Sequence, residues 1–144
     1  MNKAKQKSGS LNLTKKADYG LFLLTMLAQG KSENKSIKTI ADKNGLSFSF
    51  LQKIARDLQK GGLIDAERGK FGGYQLIKKP EQITLKEILE TLEGPIAIAP
   101  CFNSTKGNPC CAHKPFCTIK NGLKKINEEI KATLLSKTLK HFIQ

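Results

Sequence analysis

Residues 36–62 read SIKTIADKNGLSFSFLQKIARDLQKGG, and the fold turns on them. Ile37, Ile40 and Ala41 recur at helical spacing, and the run stops at Asn44-Gly45, a pair suited to a left-handed helix end. Ser47 then offers a side-chain oxygen to cap a second helix. Leu51, Ile54, Ala55 and Leu58 form that helix's buried face, and Gly61-Gly62 terminate it. Two helices joined by a tight glycine-containing turn predict a helix-turn-helix.

Working outward, Thr14 is a candidate cap for a first helix over about 14–29, with Ala17, Leu21, Leu24 and Ala28 on its apolar stripe and Gly30 as a stop. Downstream, Leu63 to Ala66 and Tyr74 to Ile77 flank a glycine-rich basic tip and predict a two-stranded hairpin. A helix-turn-helix followed directly by such a hairpin is a winged helix. After Pro80, Leu85, Ile88, Leu89 and Leu92 mark a further amphipathic helix closed by Gly94-Pro95. Near the end, Ile119, Leu123, Ile126, Ile130 and Leu134 repeat at helical spacing among lysines and glutamates, predicting a long amphipathic helix. No downstream element is evident to cover that stripe, so it packs back on the domain or, preferably, on a second copy, because readers of two-fold DNA sites are dimers. The expected class is mainly α with a small β-hairpin.

The chain has 144 residues, enough for one ordinary core, and carries 25 Lys+Arg against 12 Asp+Glu, a formal +13. That field favours polyanionic partners, nucleic acid first, although a solvated lysine-rich surface gives the same count. No apolar run approaches the roughly 20 residues needed to span a bilayer and no cleavable leader opens the chain, so a cytoplasmic, membrane-free protein is expected.

In a helix-turn-helix the start of the second helix enters the major groove of duplex DNA. With Leu51, Ile54 and Leu58 turned inward, Ser47, Ser49, Gln52, Lys53 and Arg56 are the candidates for bases or phosphates. Phe48 and Phe50 read as core or staple residues, with a thymine methyl as the alternative contact for one of them. At the hairpin tip, Arg68 and Lys70 stand among glycines, where they suit a narrow minor groove or a phosphate.

Every cysteine lies in CFNSTKGNPCCAHKPFC, residues 101–117, with the pattern C-x8-C-C-x5-C in loop-forming composition. In a reducing compartment such a cluster points to metal or redox chemistry rather than a disulfide framework. Zinc sites commonly use separated C-x2-4-C pairs, which this segment lacks, whereas an iron-sulfur cluster accepts widely spaced thiolates and a non-cysteine ligand. Zinc, a thiol redox switch and an inert loop remain open on the residues alone. A cysteine-dependent enzyme with His113 as base is a remote alternative, because no triad or substrate site is recognisable.

The runs LTKKADYGLFLLTMLA (13–28), GLSFSFLQKIARDLQKGGLIDAERGKFGGYQL (45–76) and ITLKEILETLEGPIAIAPC (83–101) resemble the bacterial winged-helix regulators that include the iron-sulfur regulator IscR, the nitric-oxide-responsive NsrR and regulators of the SUF assembly system. The most specific pieces are the RGxxGGY wing, Arg68 to Tyr74, and the segment from Glu93 to Cys101. The resemblance implies a dimeric regulator, typically a repressor of cluster-assembly or stress genes. It also implies that Cys101, Cys111 and Cys117 hold an iron-sulfur cluster ahead of a dimerisation helix, with Cys110 as the alternative to Cys111. IscR-like members place a His where this chain has Lys120, so the fourth ligand falls to Asp18, the NsrR-like choice supplied by the partner subunit, with His113 a weaker one. Asp18 otherwise reads as a first-turn acid that complements the helix dipole. The expected organisation is a basic tail (1–12), a winged helix (13–80), a connecting helix and linker (81–100), the cysteine loop (101–117), and a dimerisation helix with its tail (118–144).

Overall fold

The computed structural model describes residues 13–30, 36–69, 72–103 and 117–144. Helix α1 (Lys15–Ala28) is capped by Thr14, whose Oγ1 accepts from the Ala17 amide at 3.1 Å. Its buried residues are Ala17, Gly20, Leu23, Leu24 and Leu27, while Leu21 and Ala28 are half-buried. The buried stripe is therefore rotated from the expected one, because α1 is covered on two sides, by α3 and by α4. Gly20 permits the second contact, since a Cβ there would overlap the buried Leu92 of α4.

Helices α2 (Ile37–Asn44) and α3 (Phe48–Lys60) are joined by Gly45, which takes the left-handed conformation at φ 63°. That geometry lets the Leu46 amide donate back to the Ala41 carbonyl at 2.9 Å and reverses the chain within one turn. Strands β1 (Ile64–Glu67) and β2 (Gly73–Leu76) pair antiparallel with Ile64 opposite Leu76 and Glu67 opposite Gly73. The strands lie one residue nearer the tip than the expected spans, and the Ile77 amide continues their pairing by donating to the Leu63 carbonyl at 3.1 Å. A short 3-10 turn, Pro80–Gln82, leads into α4 (Leu85–Glu93). Leu23, Leu24, Ile40, Leu51, Ile54, Leu58, Ile64 and Ile88 close one core beneath these elements, giving a winged helix.

The long helix α5 (Lys120–Ser136) behaves differently, with Asn127 its one buried residue. The Ile98 amide donates to Asn127 Oδ1 at 3.0 Å, which pins the linker after α4 to the middle of α5. Beyond α5 the chain returns to the winged helix. The Leu85 amide donates to the Lys137 carbonyl at 2.7 Å, the Leu139 amide donates to the Ile83 carbonyl at 2.8 Å, and Leu139 is fully buried in the core. Packing of the chain's end on the domain therefore resides in the segment after α5, to which the sequence pattern assigns no core role. Among the described residues no helix is long and apolar enough to cross a membrane.

Candidate DNA interface and cysteine site

Successive helix residues are rotated by about 100°, so the inward set Leu51, Ile54, Ala55 and Leu58 fixes where every other α3 side chain lies. Ser49, Lys53 and Arg56 fall on the face opposite the core, and all three are exposed. Gln52 is half-buried on the flank shared with Phe48 and Gln59, toward the hairpin, where Gln59 Nε2 donates to Asp65 at 3.4 Å. Ser47 is the N-cap: its Oγ accepts from the Phe50 amide at 3.4 Å and lies 3.1 Å from Ser49 Oγ. Capping thus occupies part of the Ser47 hydroxyl, leaving Ser49 the more available of the two.

The opposite flank of α3 faces α1. Phe50 packs edge-on against Tyr19, with ring centroids 5.6 Å apart, and Lys16 Nζ meets Asp57 Oδ2 at 2.8 Å. Hydrogen bonding from Lys16 is the main cause holding the Asp57 carboxyl below its ordinary range; burial opposes it as the next largest influence, and the charges of Lys16, Lys60 and Lys53 add to the lowering. The consequence is electrostatic. The one acid of α3 is neutralised from behind by α1, so the outward cations dominate the field of this helix. Sequence reading missed the Lys16–Asp57 pair because its partners lie on different helices with no periodic relation.

Arg68 is exposed just after β1, next to Gly69, whose carbonyl accepts from the Gly72 amide at 3.1 Å. Lys70 lies outside the described residues. The structure therefore presents a helix bearing Ser49, Lys53 and Arg56 together with a hairpin bearing Arg68 on the same winged-helix body.

Of the cysteines, Cys101 is exposed in the 3-10 turn Pro100–Phe102 and Cys117 is half-buried just before α5; both are free thiols. Cys110, Cys111 and His113 lie outside the described residues, and among the described residues no three ligating side chains converge. Accessible, unbridged thiols at the two ends of the segment fit the donor chemistry of an iron-sulfur or other thiolate site. Asp18 is exposed in the first turn of α1 and borders a surface hollow lined also by Tyr19, Phe22, Asn44 and Leu46. That hollow reaches the α2–α3 turn. Asn127 also escaped sequence reading, although a signal existed: Leu123, Asn127, Ile130 and Leu134 share one helical face, with a polar residue at a stripe position.

Comparison with known proteins fits this arrangement. Residues 13–144 match the model of the Rrf2 family, described as iron-dependent transcriptional regulators. The chain is 36% identical over 114 residues to the HTH-type transcriptional regulator NsrR of Shouchella clausii, covering 78% of this chain and 75% of the relative. The solved structure of CymR, the global cysteine regulator of B. subtilis, superposes with a TM-score of 0.68 at 30% identity, over 90% of this chain and 94% of that one. IscR of T. potens gives 0.67 at 30% identity, over 90% and 84%. With its helix-turn-helix, hairpin wing and long trailing helix, the chain belongs to the Rrf2 family of winged-helix transcriptional regulators.

Proposed function

We propose that the protein binds a roughly two-fold symmetric operator as a homodimer and that an iron-sulfur cluster in its cysteine segment tunes that binding, most simply as a repressor. The observation that carries the DNA reading is α3, whose inner face is sealed in the core while Ser49, Lys53 and Arg56 point outward. In this reading α3 occupies the major groove, Ser47 and Gln52 lie at its margins, and Arg68 with Lys70 reaches an adjacent groove or phosphate. The half-exposed apolar stripe of α5 supports the dimer, because Ile126 remains 46% exposed in the single chain.

Cys101 and Cys117, with Cys111 or Cys110 between them, would hold the cluster, and Asp18 of the partner subunit would complete it. When bound, such a cluster supplies a group that oxidants, nitric oxide or iron scarcity can remove. The chain's own residues supply the coupling. Cys101 ends a linker tied to α5 through Asn127, Cys117 leads directly into α5, and the hollow beside Asp18 touches Asn44 and Leu46 ahead of the recognition helix. Switching requires that the cluster favour one arrangement of these elements over another, and a tenfold change in operator affinity needs about 1.4 kcal/mol of such preference.

A second reading, a redox switch of the thiols alone, is favoured by the accessibility of Cys101 and by the likeness to a cysteine regulator. Anaerobic purification with iron and sulfide analysis, visible absorption and operator binding separates the two. Iron and sulfide in the protein, with DNA affinity that changes on their loss, supports the cluster. Iron-free protein whose affinity follows thiol oxidation supports the switch, and stoichiometric zinc overturns both. For the interface, Arg68→Ala lowers operator affinity, and Lys53→Ala or Lys70→Ala reduces the salt slope by about one if each meets a phosphate. Unchanged affinity and slope in all three refute this docking.

A further inference from the structure

The two aromatic residues of the Ser-Phe-Ser-Phe run at the start of α3 have similar sequence contexts and opposite surroundings. Phe50 is half-buried against the core and stacked edge-on against Tyr19 at an interplanar angle of 70°. Phe48, the first residue of α3, is 43% exposed and takes no part in the core cluster. Nor is it in position for a hydrophobic staple at the helix entry, which pairs the residue before the cap with the fourth helical residue. Those positions are Leu46, packed on the core, and Leu51, fully buried. A lone exposed apolar residue usually needs no explanation. Here its setting is specific: a rigid, amphipathic-helix origin one turn before Gln52, beside the exposed Ser49, on the helix that carries Lys53 and Arg56 outward and has no acid in its first turn.

We infer that Phe48 reads a thymine. Its ring meets the C5-methyl group at the edge of the major groove, an apolar feature that no other unmodified base displays there, while Ser49 and Gln52 address neighbouring polar edges. The assignment rests on the proposal that α3 enters the major groove. It makes Phe48 a specificity-determining residue at one base pair of each half-site, acting by apolar contact.

The test uses the full chain and the tightest duplex it selects from a random pool, with each thymine replaced singly by deoxyuridine, which removes the methyl group and retains pairing. Wild type is expected to lose affinity about fourfold at one symmetry-related pair of positions, the size expected for one buried methyl group. Phe48→Ala should bind the parent duplex more weakly and lose that sensitivity, and Phe48→Leu should keep it. Phe50→Ala should lower thermal stability and keep it as well. Wild-type affinity that is indifferent to every deoxyuridine, or a Phe48→Ala protein with the same sensitive positions, overturns the inference while leaving DNA binding by α3 intact. Failure to enrich any duplex sinks the DNA-reading proposal and this inference together.

Discussion

Helices α3 and α5 are both amphipathic, yet the fold finishes them in different ways. In α3 the residues Leu51, Ile54, Ala55 and Leu58 are buried by the same chain; in α5 only Asn127 is, while Ile126 stays exposed, as does Ile119 just before the helix, and Leu123, Ile130 and Leu134 are half-covered. Periodicity announces that a helix has an apolar face and is silent about whose surface will cover it. The winged helix is complete as a single chain. The long helix packs on α4, is tied to the linker through Asn127 and to the winged helix through the returning tail, and keeps Ile126 of its stripe exposed.

Substitutions can break or sharpen that contrast. Ile54→Ala, in the sealed half, is expected to cost about 4 kcal/mol in urea unfolding, through lost burial and the cavity left behind. Leu139→Ala should cost about 3 kcal/mol, although it lies beyond α5, because its side chain belongs to the core of the winged helix. A loss as small as that of an exposed residue would show that the tail is not clamped as described. Asn127→Ala is expected to cost about 1.5 kcal/mol by leaving the Ile98 amide without its acceptor, with faster hydrogen exchange at Ile98 as the local signature. Ile126→Asp should move unfolding of the single chain by less than about 0.5 kcal/mol, as for surface sites generally, yet convert a dimer to monomer by light scattering. A mass unaffected by that change would remove α5 from the dimer contact.

A further small effect is pH-dependent. Lys16→Met should cost about 0.5 kcal/mol at neutral pH, as is usual for a solvent-screened pair. Because pairing lowers the folded pKa of Asp57, the pair's contribution is complete above the unfolded carboxylate value of about 3.9 and is lost as pH falls through the lower folded value. Wild type and variant should therefore converge in acid, as followed by thermal melts across pH.

Much of the winged helix was legible because its signals are local. Gly45 and Gly61 punctuate helices, Ser47 and Thr14 cap them, and the inward set of α3 is spaced as a helix requires. The misses share one physical cause, dependence on contacts distant in sequence. The rotated stripe of α1 follows from being covered on two sides, the burial of Leu139 from pairing with Ile83, and the divergence of Phe48 from Phe50 from where Tyr19 happens to stand. Ser49, Lys53, Arg56 and Arg68 are candidates by residue type and spacing, and the structure leaves all four exposed. Convergence of the cysteines is a matter of loop conformation, which periodicity does not encode, and Cys110 and Cys111 lie outside the described residues.

The return of the tail brings Leu139 back to Ile83, so the stretch of chain that carries the cysteines begins and ends on the winged helix. The 3-10 turn Leu139–Phe142 packs on the one at Pro80–Gln82, where Lys140 meets Glu81 at 3.1 Å, so a reporter dye attached at the exposed His141 would stand beside that turn. Its emission would therefore register motion of the wing's root, and a probe meant to watch the far end of the long helix belongs near Lys120.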